Sequence, residues 1–361
     1  MQKIKIVSDK KLICYSKSFY LFGKGPRLYV STELGGEEDY IATLPISTTR
    51  KFLGGVRILA RALRLEIRCG IFVDESTAIV SYHGAIYKVD CKRGTVELEH
   101  MFKPGMNNPL AFTEIRGVEG FTDGIYYGEY YLNNDRDTVS VYRRNKDGTW
   151  TSVYTFNSGS IYHIHTLVLD PEKGIVYILT GDDDSESAIY ECRNDFSEVK
   201  PVVIGKQAYR SCVALPGAKG MVYTTDTPLE DNYLYNLDFD SKEKKEIIPI
   251  SGPAIYGKII SKNEMLFSTS VEADSRIKGL RYQFTRKLGE GVKDRYTHLY
   301  YVKIEEESII AKEIFKARKD IFPMGACQFG TMMFPAGDGK LVFTCQSVRK
   351  YDNKTLMIEA L

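Results

Sequence analysis

The sequence predicts an all-β fold: a seven-bladed β-propeller whose two chain ends close the ring. The first observation behind this is a recurring phrase, an aliphatic residue and a tyrosine entering a polar turn. It reads Leu28-Tyr29, Ile86-Tyr87, Val141-Tyr142, Ile189-Tyr190, Leu234-Tyr235 and Leu299-Tyr300, and decays to Leu356-Met357. The tyrosines are 58, 55, 48, 45 and 65 residues apart, and a further 57 residues reach Met357. A period near 50 residues marks a propeller or solenoid, in which no single unit buries its own apolar face. The second observation is a turn and an aliphatic-aromatic run upstream of most of these phrases. Gly124-Ile-Tyr-Tyr, Gly174-Ile-Val-Tyr, Gly220-Met-Val-Tyr, Glu264-Met-Leu-Phe and Gly339-Lys-Leu-Val-Phe are the instances. Such β-branched and aromatic runs bounded by Gly, Asn or Asp are strand signals. The third observation is that the last unit runs out of residues after its third strand, while the first residues read as a spare strand.

Taken in order, Lys3–Val7 alternates polar and apolar residues, as a strand with one buried face does. It is expected beside Lys354–Ile358, where pairing the chain ends removes a sheet edge. The first unit, around Leu28-Tyr29, is cramped, which keeps a six-bladed ring as the alternative. Helical spacing occurs only around Val56–Leu65, in a segment carrying Arg50, Lys51, Arg57, Arg61, Arg64 and Arg68. These basic residues read as the solvated face of an inter-blade connection, with a polyanion-binding patch as the alternative. From the second unit on, each tyrosine phrase is followed by a turn and an outer strand. The turns are Cys91-Lys-Arg-Gly, Asn145-Lys-Asp-Gly, Asn194-Asp-Phe-Ser and Asp238-Phe-Asp-Ser. Weaker inner strands, such as Thr166–Leu169 and Ser211–Leu215, complete four strands per blade, a to d from the axis outward. All 361 residues read as one propeller domain.

Composition narrows the function classes. The 49 basic and 47 acidic side chains nearly cancel, which excludes a general electrostatic case for nucleic acid. The 25 tyrosines and 17 phenylalanines suit inter-blade packing. There is no apolar stretch of membrane-spanning length and no N-terminal apolar leader, so no membrane partner is expected and the cytoplasm is the expected location. The seven cysteines are odd in number and lack C-x-x-C spacing, so they read as reduced core thiols. Neither a phosphate-binding glycine loop nor a G-x-S-x-G nucleophile elbow occurs, which disfavours nucleotide and serine-hydrolase chemistry.

Propeller topology brings the lead-in to strand a and the b–c loop of every blade to one face. The b–c loops here carry Glu129 and Arg136, then Asp182, then Asp226 and Asn232, then Glu272 and Arg276. The lead-ins carry His163, His165, Gln207, Tyr209 and Arg210. This mixture at a concave end is what a polar-ligand pocket needs. Glu129 and Asp182 are a candidate acid-base pair for glycosidic chemistry, with His163, His165 and Tyr209 as further candidate catalytic groups. At i and i+2 on a strand, His163 and His165 point to one side and are candidate ligands for a divalent metal. Asp182, Gln207 and Asp226 are candidates to complete the metal's shell. Arg136, Arg210 and Arg276 offer guanidinium forks for a substrate carboxylate, and Gln207, Asp226, Asn232 and Glu272 are candidate substrate contacts. The competing reading is that Asp and Asn there cap turns, and that the arginines are structural ion-pair partners.

The runs Gly128-Glu-Tyr-Tyr, Trp150-Thr-Ser-Val-Tyr-Thr-Phe, Ile161-Tyr-His-Ile-His, Thr180-Gly-Asp, Tyr209-Arg210 and Thr225-Asp-Thr-Pro carry a resemblance. The chain resembles the sialidase-like propellers with BNR, or Asp-box, repeats. More narrowly, it is similar to a prokaryotic branch often labelled glycosyl hydrolase. The similarity spans most of the chain and is densest from about residue 105 to 275. Asn145-Lys-Asp-Gly-Thr-Trp150 is the best copy of the repeat hallmark, a fold signature on the c–d turn. The early Arg-Ile-Pro segment of true sialidases is absent. What the resemblance implies is a carbohydrate-active propeller, a glycoside hydrolase or polysaccharide lyase acting on a glycan that contains an acidic sugar. The alternative is a non-catalytic propeller that binds a glycan or a protein.

Overall fold

In the computed structural model, which describes residues 3–361, the chain forms seven four-stranded antiparallel sheets set around a ring. Blade 1 runs from Lys11–Tyr15 out to Asp39–Thr43, and blade 2 from Gly70–Phe72 to Thr95–Met101. Blade 3 runs from Thr113–Ile115 to Trp150–Phe156, and blade 4 from His163–Asp170 to Glu198–Ile204. Blade 5 runs from Val213–Pro216 to Lys244–Ile250, and blade 6 from Tyr256–Ser261 to Ile309–Arg318. Blade 7 is built from Thr331–Met333, Val342–Gln346, Thr355–Ile358 and, outermost, Ile4–Ser8. The expected closure is present, with Ile4 opposite Ile358, Lys5 opposite Met357 and Ile6 opposite Leu356.

The repeated tyrosine phrase marks a backbone event. In blades 1 to 6 the tyrosine lies on strand c, and the c–d ladder is shifted between the aliphatic residue and that tyrosine. The outer strand carries the extra residue, for example Ile41 between the partners of Leu28 and Tyr29. A bulge of this kind strengthens the local twist, so the outer strand can follow the curvature of the blade. In blade 7, which lacks the tyrosine, the extra residue Val7 falls one position earlier, between the partners of Leu356 and Thr355.

The core lies between blades. Each blade interface holds its own apolar cluster, such as Ile115, Val139 and Phe156 of blade 3 against Ile164, Leu167 and Val176 of blade 4. The interface that closes the ring packs Leu12, Tyr20 and Phe22 against Val342. No blade could bury these side chains alone, which is why the repeat is obligatory. All seven cysteines are free thiols, and all but Cys69 are buried. The Asp-box copy forms the c–d turn of blade 3, where Asp147 Oδ1 accepts from the Thr149 backbone N–H at 2.9 Å.

The basic segment does not form one solvated face. It folds into two short helices, Thr48–Leu53 and Arg57–Ala62, between blades 1 and 2. Arg61 is 2 % exposed and donates to the Cys327 carbonyl at 2.9 Å and to Asp320 at 2.5 Å. Arg57 pairs with Asp352 at 2.7 Å and also with Glu66. These pairs clamp the helices to the loops around blade 7. The charges of Arg57 and Arg61, which look solvated in sequence, are therefore spent on structure.

Candidate functional site

A central cavity of about 1780 Å³ runs along the inner strands, and His165, Cys212, Tyr256 and Arg68 lie on its wall. His163 and His165 open the inner strand of blade 4, and each is 3 % exposed. Two backbone carbonyls decide their chemistry. His163 Nδ1 lies 3.1 Å from the Tyr131 oxygen, and His165 Nδ1 lies 2.8 Å from the Ser211 oxygen. A carbonyl only accepts, so both Nδ1 atoms carry the proton and both neutral rings present a bare Nε2. Those two Nε2 atoms are 3.1 Å apart. Asp182 Oδ1 lies 3.5 Å from one and 3.4 Å from the other. Two lone pairs and a carboxylate oxygen at this spacing repel unless a proton or a cation sits between them. His165 also belongs to a second group, with Cys212 and Asp226, whose ligand atoms lie within 4.8 Å of one another.

Asp182 keeps 36 % of its side-chain surface open. Burial works to raise its carboxyl, but the Arg210 guanidinium overcomes this and holds it well below the usual range. Arg210 donates Nη2 to Asp182 Oδ1 at 2.8 Å, while its Nε stands 3.7 Å from Asp226 and has no hydrogen-bond partner. Gly181 permits this packing, because a Cβ there would meet His165 Cε1 at 2.6 Å and Arg210 Cγ at 3.1 Å. Gln207 donates to the Asp182 carbonyl at 2.8 Å, so it braces the loop.

Asp226 and Glu272 complete the group. Burial raises the Asp226 carboxyl, with Arg210 opposing, and its Oδ2 accepts from the Cys212 thiol at 3.4 Å. Glu272 is pushed up to about 8 by burial and by the charge of Asp226, although Ser270 donates to it at 2.5 Å. Three carboxyls thus face one guanidinium: Asp182 stays ionised beside it, while burial makes Asp226 and Glu272 hold their protons more tightly. A pH dependence follows. Glu272 titrates near 4.5 when exposed and near 8 in place, so its contribution to stability is complete below pH 4.5. That contribution is lost as pH rises to about 8. Urea midpoints measured from pH 4.5 to 8 should fall with pH, and Glu272→Gln should flatten the slope.

The remaining predicted site residues lie elsewhere. Glu129 is 2 % exposed and accepts from Lys103 Nζ at 2.7 Å and the Ser140 backbone N–H at 2.8 Å, so it does not pair with Asp182. Tyr209 packs in the core between blades 4 and 5, with Tyr223 and Leu179. Asn232 is fully buried and spends its amide on Thr225, Thr227 and Gly291. Arg136 pairs with Asp183 at 2.6 Å and with Glu186, while Arg276 pairs with Asp274 at 2.8 Å and Glu290 at 2.7 Å. Tyr130 and Cys212 carry no site reading in the sequence, and Arg68 carries one only within the basic segment, as part of the alternative polyanion-binding patch. The Tyr130 ring lies 4.2 Å from the His163 ring. Strand alternation was the available signal for Tyr130, because it points opposite to its neighbour Glu129. Arg68 stands two residues before strand a of blade 2, a lead-in position like that of Arg210 in blade 5.

No protein-family model and no curated protein matches the sequence. Solved structures do. The chain is similar to an oligogalacturonate lyase solved in complex with manganese, at 11% identity and a TM-score of 0.60, over 99% of this chain and 92% of that one. It is also similar to the extracellular domain of a hybrid two-component system from B. thetaiotaomicron, at 10% identity and a TM-score of 0.54. That match covers 99% of this chain and 40% of the other. A chain of a mitotic checkpoint complex matches at 8% identity and a TM-score of 0.53, over 98% and 92%. At these identities the likeness establishes the propeller fold alone. Among the described residues no helix is long and apolar enough to cross a membrane.

Proposed function

We propose that this propeller binds a divalent metal through His163, His165 and Asp182 and acts on an acidic oligosaccharide, as a polysaccharide lyase or glycoside hydrolase. The observation that carries the reading is the tautomer pair: both Nδ1 protons are given to carbonyls, and both bare Nε2 atoms meet one carboxylate oxygen. Metal-ligating histidines are held in this way, with the far ring nitrogen donating to a carbonyl. The excess of buried carboxyls over guanidinium in the same group favours a cation there. The manganese named with the similarly folded lyase, and its oligogalacturonate substrate, support the same choice of metal and sugar class. So does the resemblance to glycan-directed sialidase-like propellers.

A divalent ion held there would supply positive charge to a sugar carboxylate and acidify the proton beside it. The chain's own residues handle the rest. Asp182 stays ionised through Arg210, which also fixes its orientation. Glu272, pushed up to about 8 by burial and then by the charge of Asp226, holds a proton for a leaving oxygen. Tyr130 walls off the histidines from water on one side.

One observation favours the non-catalytic alternative: Arg210 already pairs with Asp182 and stands near Asp226, which partly balances the group without an ion. The experiment is a melting scan of chelated protein with manganese, magnesium or zinc added back, beside an assay with trigalacturonate. Metal should raise the melting temperature, because a ligand that binds only the folded state adds stability. His163→Ala should abolish that rise. An unsaturated, ultraviolet-absorbing product identifies a lyase, new reducing ends alone a hydrolase, and binding without either product a binding module. No metal response in the wild type overturns the reading.

A further inference from the structure

The three arginines that the sequence offered for a carboxylate are taken by the protein's own acids. Two other guanidiniums are not. Among the described residues, neither Arg64 nor Arg68 has a carboxylate partner or a side-chain hydrogen bond. Arg68 lies on the cavity wall, 5.5 Å over the face of Tyr256. Its other near neighbours are Tyr130 and the thiols of Cys69 and Cys212, none of them an anion at neutral pH. Arg64 follows the second helix and stands among Tyr256, Tyr130 and Tyr282. Burial and the charge of Arg68 both depress it, as happens when two cations share a site with no anion between them. A third cation, Lys11, sits behind them, donating to the Arg68 carbonyl at 2.8 Å and the Ile67 carbonyl at 3.0 Å. Lys11 is pushed down to about 8 by burial, only partly offset by Glu66.

Arg68 is half-buried and Arg64 exposed, so both unpaired guanidiniums are open to a ligand. This cationic group lies near the acidic one: Tyr130 feels the charge of both Arg68 and Asp182, and Tyr282 that of both Arg64 and Glu272. The cavity wall therefore carries the free Arg68 guanidinium on the blade 2 side and the His165 imidazole with the Cys212 thiol on the blade 4 and 5 side. We infer that Arg68, with Arg64 beside it, seats a carboxylate or similar oxyanion of the ligand that occupies the central cavity. A guanidinium fork matches a carboxylate in plane and in spacing, and Tyr256 holds that fork flat. The inference rests on the acidic-glycan reading only for the source of the carboxylate.

The test is calorimetric titration of the intact protein with trigalacturonate, its fully methyl-esterified form and inorganic phosphate. Arg68→Gln should weaken trigalacturonate about tenfold to a hundredfold, the worth of a hydrogen bond to a charged group, and leave the ester unchanged. Arg64→Gln should act in the same direction and less strongly. If Arg68→Gln melts early, Arg68→Lys keeps the charge, loses the fork and should give an intermediate loss. Phosphate binding that falls in the variants while trigalacturonate does not bind the wild type supports the oxyanion seat and sinks the glycan reading. Trigalacturonate that binds wild type and variants equally overturns the seat and leaves the glycan reading standing. Wild-type protein that takes neither anion also overturns the seat.

Discussion

Replacing Arg210 by methionine is expected to destabilise the protein strongly and to make it more responsive to divalent ions than the wild type. Arg210 is the one guanidinium among Asp182, Asp226 and Glu272. Removing one partner of a buried ion pair costs about 3–5 kcal/mol, because the other charge is left without compensation. The lower end applies here, since Asp182 keeps 36 % of its side-chain surface open. Methionine preserves most of the volume, so packing beside Gly181 contributes little to the loss. The Asp182 carboxylate and the two bare imidazole nitrogens would then lack any guanidinium, and a metal ion would balance them better than a proton can. Manganese should therefore recover much of the lost stability in Arg210→Met, read as a larger rise in melting temperature than in the wild type. A variant that loses stability and gains none from manganese would identify the group as a structural ion-pair network without a metal.

The fold was legible because its signals are local and repeated. Aliphatic-tyrosine phrases recur where the c–d ladder bulges, and alternation in Lys3–Val7 matches the partner it finds. The site was legible only as a face. Topology placed b–c loops and lead-ins together, and His163, His165, Asp182, Arg210, Asp226 and Glu272 do converge. Which charges remain free depends on partners brought from other blades, and no local pattern encodes those. Glu186 reaches Arg136 across 50 residues, and Lys103 claims Glu129 across 26. Arg68 was hidden for the opposite reason. It sits in a run of basic residues whose helical spacing suggested a solvated face, while its lead-in position turns it into the cavity. The lead-in rule, applied to blade 2 as it was to blades 4 and 5, would have found it.

Deleting residues 1–8 should lower the melting temperature by roughly 4–7 °C, the effect of about 3–5 kcal/mol in a chain of 361 residues. Ile4–Ser8 is the outermost strand of blade 7, paired along Thr355–Ile358. Each ladder bond lost is worth about 0.5–1.5 kcal/mol, and several are lost together. Ile4 also packs against the cluster that holds Leu356 and Ile358 at 1 % and 4 % exposure, so part of that cluster would meet water. The ion pair of Lys3 with Glu359 adds little, because the lysine is 85 % exposed. The larger effect is on closure. Without this strand blade 7 is a three-stranded sheet with an open edge. Blades 1 and 7 would still meet through Leu12, Tyr20, Phe22 and Val342, so the ring should survive at moderate temperature and open first at this seam. Hydrogen exchange on the deletion variant should show early loss of protection in Val342–Gln346 and Thr355–Ile358, while blades 3 to 5 keep theirs. A deletion variant that melts with the full chain, or that loses protection evenly around the ring, would show that the N-terminal strand decorates the propeller without closing it.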